Sequence, residues 1–216
     1  RIPNFIGPEV CARLLAEKSY WKRGRALKSN PDSPQRAIRH KALADGKIVY
    51  MGVPRLRNQK PFIELDPAKL NCPAYTASSI QGASKFGRLI GLDEIKKIDL
   101  IICGSVAVNR RGARVGKGGG YSDLEFALLT ENKKISAKTP IVTSVHPLQI
   151  VDEDLPMAKH DIPLSAIVTP GEITEIDAAF PRPRGIYWRM LPREKIEAIP
   201  LLKIAAGRDP VDSQPH

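Results

Sequence analysis

Apolar residues recur at helical spacing from Pro8 to Lys18, where Val10, Leu14 and Leu15 share a face, and this predicts a short helix. A second helix is expected from Pro34 to Ala44: Asp32 or Ser33 can cap it, Ile38 and Leu43 can face inward, and Gly46 lies just past its end. Lys47 to Val53 and Asp99 to Cys103 read as buried strands. Tyr121 to Thr130 reads as a helix, Ile141 to Val145 as a strand, and Ala166 to Thr169 as a short strand stopped by Pro170. Short apolar strands alternating with helices predict an α/β fold, with a parallel sheet covered on both faces. Phe180 to Gly185, with Pro181 and Pro183, must be extended, and Pro192 to Leu202 can form one more amphipathic helix. From Gly207 onward there is little to bury, so one domain over 1–206 and a frayed tail over 207–216 are expected.

The 216 residues suffice for a packed core, and 42% of them are hydrophobic. Every apolar run stops well short of the ~20 residues that span a bilayer, so no membrane partner is expected. Cys11, Cys72 and Cys103 are odd in number and lack Cys-x-x-Cys spacing, which argues against a disulfide framework or a structural zinc site. A cytoplasmic location fits, or an organellar one if a targeting segment has been removed upstream of Arg1. The net charge of +11 favours an anionic partner without choosing one. Its densest groups, Trp21 to Lys28, Arg36 to Lys41 and Arg182 to Arg189, contain no run of five or six like charges.

The sharpest feature is Arg114-Val115-Gly116-Lys117-Gly118-Gly119-Gly120-Tyr121-Ser122-Asp123, set just before a predicted helix. Its glycines let backbone N–H groups approach an anion, the helix N-terminus adds positive potential, and Arg114 and Lys117 add charge. It is not a Walker A loop, because Gly112 and Gly116 are too close and Gly118 stands where Ser or Thr is needed. Nor is it G-x-G-x-x-G, because the last glycine position falls on Tyr121.

Here the sequence resembles the 5-formyltetrahydrofolate cyclo-ligase family, whose signature is an Arg, an apolar residue and a G-x-G-x-G-Y-Y-D loop. The likeness continues in Asp99 to Ile102, Val108 to Gly112, His160-Asp161-Ile162-Pro163 and Ile167 to Pro170. Arg1 to Phe5, Asn30-Pro31-Asp32, Val53 to Arg57, Gly104 to Val108 and Val145 to Gln149 resemble its methenyltetrahydrofolate synthetase domain-containing branch. The resemblance runs from Arg1 to about Leu202. It implies a three-layer α/β/α, Rossmann-like fold with a mostly parallel sheet. It also implies ATP- and Mg²⁺-dependent conversion of 5-formyltetrahydrofolate, or a related folate, to 5,10-methenyltetrahydrofolate. In that chemistry the γ-phosphoryl group moves to the formyl oxygen, N10 attacks the activated carbon, and phosphate leaves.

Residue by residue, the resemblance puts Arg114, Gly116, Lys117, Gly118, Gly119, Gly120 and Tyr121 on ATP, with Arg114, Lys117 and Tyr121 catalytic. Asp123 and Asp161 fall on metal-binding acids, and Asp32, Arg55 and Tyr121 on the substrate. From the residues alone, Asp123 could instead cap the helix or serve as an acid of its first turn, Asp161 could serve a turn, and Asp32 a helix cap. His146 and His160 lack ligand neighbours at metal spacing. The chain departs from the family at Ser122, where a second Tyr is usual, and at Leu124, where Arg or Lys is common. The family's basic N-terminal helix falls upstream of Arg1. ATP binding should therefore be weak in this chain unless Lys22, Arg23, Arg25 or Lys28 supplies the cation. A monomer or weak dimer is expected.

The competing reading is a non-catalytic nucleotide- or RNA-binding protein that keeps the fold. Nucleic acid is not favoured, since no RNP-like aromatic motif is present and the tail is too short for an added module. A sugar-phosphate isomerase or CoA transferase would rest on fold analogy alone.

Overall fold

The computed structural model of the chain describes residues 1–177 and 179–207. Its strands are β1 Ala26–Ser29, β2 Ile48–Gly52, β3 Phe62–Leu65, β4 Arg88–Ile90, β5 Leu100–Cys103, β6 Ala107–Val108, β7 Arg114–Val115, β8 Ile141–Ser144, β9 Ala166–Val168 and β10 Ile173–Glu175. Its helices are α1 Pro8–Ala16, α2 Ser19–Arg23, α3 Arg36–Ala44, α4 Ala74–Ala77, α5 Ile80–Phe86, α6 Tyr121–Glu131, α7 Arg193–Ala198 and α8 Pro200–Ala206. Eight strands form one sheet in the order β10-β9-β8-β5-β1-β2-β3-β4, and β6 and β7 form a separate ribbon. The five central strands, β9 to β2 in that order, are parallel, while the edge pairings β10 with β9, β3 with β2 and β4 with β3 are antiparallel.

Successive strand residues sort to opposite faces, as a pleated strand requires. Leu100 and Ile102 pack with Leu15, Ile38 and Leu43 on the side of α1 and α3. Ile101 and Cys103 pack with Phe126 and Leu129 on the side of α6. These two apolar layers make the three-layer α/β/α arrangement. A third cluster joins the outer face of α6, through Leu124, Ala127 and Leu128, to Ile186, Ile199 and Leu202. Helix α6 is therefore apolar on nearly every side because it is covered on nearly every side.

Several boundaries differ from those the pattern predicts. Helix α1 ends at Ala16, and extended Lys18 separates it from the unforeseen α2. Residues Ser33–Gln35 form a 3₁₀ turn before α3, and neither Asp32 nor Ser33 caps it through its side chain. The single helix expected over 192–202 is two, because Pro200 forces Ile199 out of helical geometry, at φ −110° and ψ 109°. Phe180 to Gly185 carries neither helix nor strand. The predicted frayed tail lies outside the described residues beyond Gly207. All three cysteines are free thiols, and no described helix is long and apolar enough to cross a membrane.

Candidate active site

The chain leaves β1 toward β2 on one side and leaves β5 toward β8 on the other, so strand order reverses between β1 and β5. In open α/β sheets ligands bind outside the carboxyl ends of the strands at such a reversal. Asn30, Pro31 and Asp32 follow β1 there, and Gly104 follows β5. A Cβ on Gly104 would lie 2.7 Å from Asp32 Oδ2 and 3.1 Å from Gln35 Oε1, so glycine is what lets these groups meet. Gln35 is fully buried, and its Nε2 donates to the Ser144 carbonyl at 3.3 Å, tying the end of β8 into the same corner.

The glycine loop leaves β7 and reaches α6 at this edge. Gly118 has φ +80° and Gly120 φ +62°, both in the left-handed region that costs a residue with a Cβ about 1–2 kcal/mol. Gly120 is the N-cap of α6, so no side chain covers the helix's first N–H groups. Arg114 is buried under the loop. Its guanidinium donates to the Gly104 carbonyl at 3.2 Å and to Asp123 Oδ1 at 3.1 Å, while its Nε has no partner. Lys117 reaches across the reversal and donates to Asp32 Oδ1 at 2.7 Å.

Behind the loop lies a polar network that the pattern of the sequence did not disclose. Lys28, on β1 and buried, pairs with buried Glu125 of α6 and donates to Asn30 Oδ1 at 2.6 Å. Asn30 Nδ2 in turn donates to Ser122 Oγ at 2.7 Å, so the serine at the departure from the family signature is held by the end of β1. Arg39, also buried, donates to the carbonyls of Asn30, Pro31 and Asp32 and holds that turn in place. Burial depresses the Arg39 guanidinium to a pKa of about 10.

The predicted residues divide between this corner and elsewhere. Arg114, Gly116 to Tyr121 and Asp123 line an open cleft of ≈ 310 Å³ with Pro156, His160 and Asp161. Asp123 Oδ1 accepts from Arg114 and, at 3.2 Å, from the Ile162 N–H. Asp161 Oδ2 accepts from the Ala158 N–H at 2.8 Å, as a turn residue does, while its Oδ1 lies 3.5 Å from His160 Nε2. Arg55 is exposed after the carboxyl end of β2 and, with Leu56, has a left-handed backbone at φ 58° and 51°. It does not line the cleft. His146 accepts from the Leu148 N–H through Nδ1 and closes a short turn. Of the cations expected near residue 25, Lys22 bonds Glu17, Arg23 bonds Ser19, and Lys28 is locked beneath α6.

Sequence reasoning missed Lys195 of α7. Its Nζ donates to the Gly119 carbonyl at 2.5 Å and sits 5.0 Å from the centre of the Tyr121 ring. Burial lowers its pKa, and the charge of Asp123 opposes that shift. Lys195 also lines a second cavity of ≈ 180 Å³, together with Gly118, Gly120 and Asp123 on one side and Ile186, Tyr187 and Leu191 on the other. Arg193-Glu194-Lys195 reads in sequence as an ordinary solvated helix face, so nothing there signals a role at the loop.

Fold and loop together define an α/β protein with a glycine loop at the carboxyl edge of its sheet. A model of the 5-formyltetrahydrofolate cyclo-ligase family matches residues 7–170, and the chain belongs to that family. Methenyltetrahydrofolate synthase domain-containing proteins of Homo sapiens and Mus musculus are 36% and 37% identical to it over 97% of its length, which covers 55% and 57% of theirs. The chain thus spans about half the length of these relatives. Escherichia coli (strain K12) 5-formyltetrahydrofolate cyclo-ligase is 37% identical over 81 residues, 38% of this chain and 41% of that protein. The NMR structure of Aquifex aeolicus 5,10-methenyltetrahydrofolate synthetase shares the fold, with a TM-score of 0.52 and 18% identity over 85% of this chain and 87% of that one.

Proposed function

We propose that the chain is an ATP- and Mg²⁺-dependent cyclo-ligase that converts 5-formyltetrahydrofolate or a related folate to the 5,10-methenyl form. The observation that carries this reading is the approach of Lys117 to Asp32 across the strand reversal, 2.7 Å apart. It brings the glycine loop beside the turn after β1, so a phosphate on the loop and an organic substrate on the turn would be neighbours.

The residues fit a bound polyphosphate. The loop offers uncapped N–H groups at the start of α6, two glycines with positive φ, and a buried guanidinium with an unsatisfied Nε. Among the described residues no group of three or more His, Cys, Asp or Glu could hold a metal alone. Mg²⁺ needs no such group, since it is commonly held by one or two carboxylates with substrate phosphates and waters. Asp123 and Asp161, on one cleft, supply that set. When bound, Mg-ATP supplies the phosphoryl group that makes the formyl oxygen a leaving group.

Phosphoryl transfer asks for alignment and charge stabilisation rather than covalent help. Loop amides fix the phosphates, Arg114 is oriented by the Gly104 carbonyl and Asp123, and Lys117 is free to exchange Asp32 for a phosphoryl oxygen. Asp32, once released, faces the substrate. Calorimetric titration of Mg-ATP and of 5-formyltetrahydrofolate, followed by an absorbance assay for the methenyl product, tests the reading. Binding of both ligands with turnover supports it. Binding without product favours a non-catalytic binding protein, and binding of neither sinks both.

A further inference from the structure

Residues 186–206 form a cap that closes on the glycine loop, and they lie beyond the family match, which ends at residue 170. The cap is docked firmly. Ile186, Ile199 and Leu202 pack on Leu124 and Leu128 of α6 and on Leu56, and the Ile186 N–H donates to Glu131 Oε1 at 2.8 Å. What the cap delivers to the loop is one ammonium group.

The loop's other two cations are already neutralised, Arg114 by Asp123 at 3.1 Å and Lys117 by Asp32 at 2.7 Å. Among the described residues Lys195 has no carboxylate within ion-pair distance. Its partners are the Gly119 carbonyl and the face of Tyr121, which leave two of its three N–H donors unused. A Cβ on Gly120 would lie 3.1 Å from Lys195 Nζ, so glycine there keeps the path from ammonium to loop open.

We infer that Lys195 contacts phosphate: it is the cation that a polyphosphate group on the glycine loop recruits from the cap. The inference rests on the assignment of that loop to phosphate. Lysine suits the task because its long stem places a compact charge that can turn from a carbonyl to a phosphoryl oxygen without moving the helix. With an anion bound, Lys195 holds loop and cap together through the ligand.

The test titrates inorganic tripolyphosphate, without metal, into the wild-type, Lys195→Met and Lys195→Arg proteins. Loss of one charge-assisted hydrogen bond should weaken Lys195→Met by about tenfold or more, while Lys195→Arg should stay within about threefold. Equal binding by wild type and Lys195→Met would show that Lys195 only clasps the loop, and would overturn this inference alone. Folded wild-type protein that binds no tripolyphosphate would overturn the loop assignment as well. A second measurement needs no variant: the acylation rate of Lys195, followed by mass spectrometry, should drop at least about fivefold with saturating tripolyphosphate. No protection in a protein that binds the probe would also overturn the inference.

Discussion

Asp32 accepts a hydrogen bond from the Lys117 ammonium at 2.7 Å, although eighty-five residues separate them. The carboxylate is nearly covered and the lysine half-exposed, so the pair itself adds little to stability, on the order of 1 kcal/mol or less. On the proposed function its effect is on the loop, where Asp32 would compete with a bound anion for Lys117. Asp32→Asn should therefore tighten tripolyphosphate binding by about fivefold, the removal of roughly 1 kcal/mol of repulsion. If Asp32 also holds the folate, turnover should fall in the same variant. Calorimetry that finds binding unchanged or weaker would rule out the competition.

Asp123 has a structural task whatever else it does, because it is the salt-bridge partner of the buried Arg114 guanidinium. Asp123→Asn keeps an acceptor but loses the charge, and should lower the unfolding free energy by ~1–3 kcal/mol. If the other oxygen of Asp123 meets Mg²⁺, the variant should also lose most of the Mg²⁺-dependent gain in ATP affinity. A stability loss in urea with the Mg²⁺ dependence intact would confine Asp123 to orienting Arg114.

The glycine loop was legible because its conformation is a local demand. Left-handed backbone at Gly118 and Gly120 favours glycine whatever lies around it, because glycine adopts it without the cost of about 1–2 kcal/mol that a Cβ brings. The alternation that sorts Leu100 and Ile102 from Ile101 and Cys103 was legible for a similar reason, since a covered strand announces itself by its apolar run. Strand β1 was not. It has four residues, and one of them, Lys28, is charged in sequence and buried in the fold only because Glu125 arrives from α6. Lys195 is the same case at the other end of the chain. Its place at the loop depends on the cap, which depends on Leu124 and Leu128 receiving Ile199 and Leu202. Asp32 looked like a helix cap because its local neighbours allow one, and a distant lysine claimed it instead.

Lys28 and Glu125 form an ion pair with both side chains almost wholly buried. Gly52 accommodates it, since a Cβ there would lie 2.2 Å from Glu125 Oε1. Removing one partner strands the other, so Lys28→Met should cost about 3–5 kcal/mol in urea denaturation. Lys28→Met with Glu125→Leu should recover at least about half of that, because an apolar pair of similar size is often as stable as a buried ion pair. A cost below roughly 1 kcal/mol for Lys28→Met would mean that the charges are not a dependent pair.

Asp45, just past α3, accepts from Trp21 Nε1 at 2.9 Å and from the Lys41 ammonium. Burial pushes its carboxyl pKa up, but the hydrogen bonds from Lys41 and Trp21 and the charges of Lys41 and Lys47 outweigh this, and the net shift is downward. A carboxyl whose folded pKa is depressed adds stability that is fully present above its unfolded pKa, about 3.9. That stability is lost as pH falls through the lower folded value. At pH 6 the wild type should thus exceed Asp45→Asn by about 1 kcal/mol in urea. The gap should narrow below pH ~4 and go on shrinking as pH falls through the lower folded value, as the folded protein's carboxyl also becomes neutral. Titrating the difference between the two proteins, rather than either alone, isolates this group from Glu17, whose carboxyl Lys22 holds low, and from Glu94, whose carboxyl is held low by the Gly91 N–H and by Arg88. A gap independent of pH would show that Asp45 acts through shape and hydrogen-bond geometry, not through its charge.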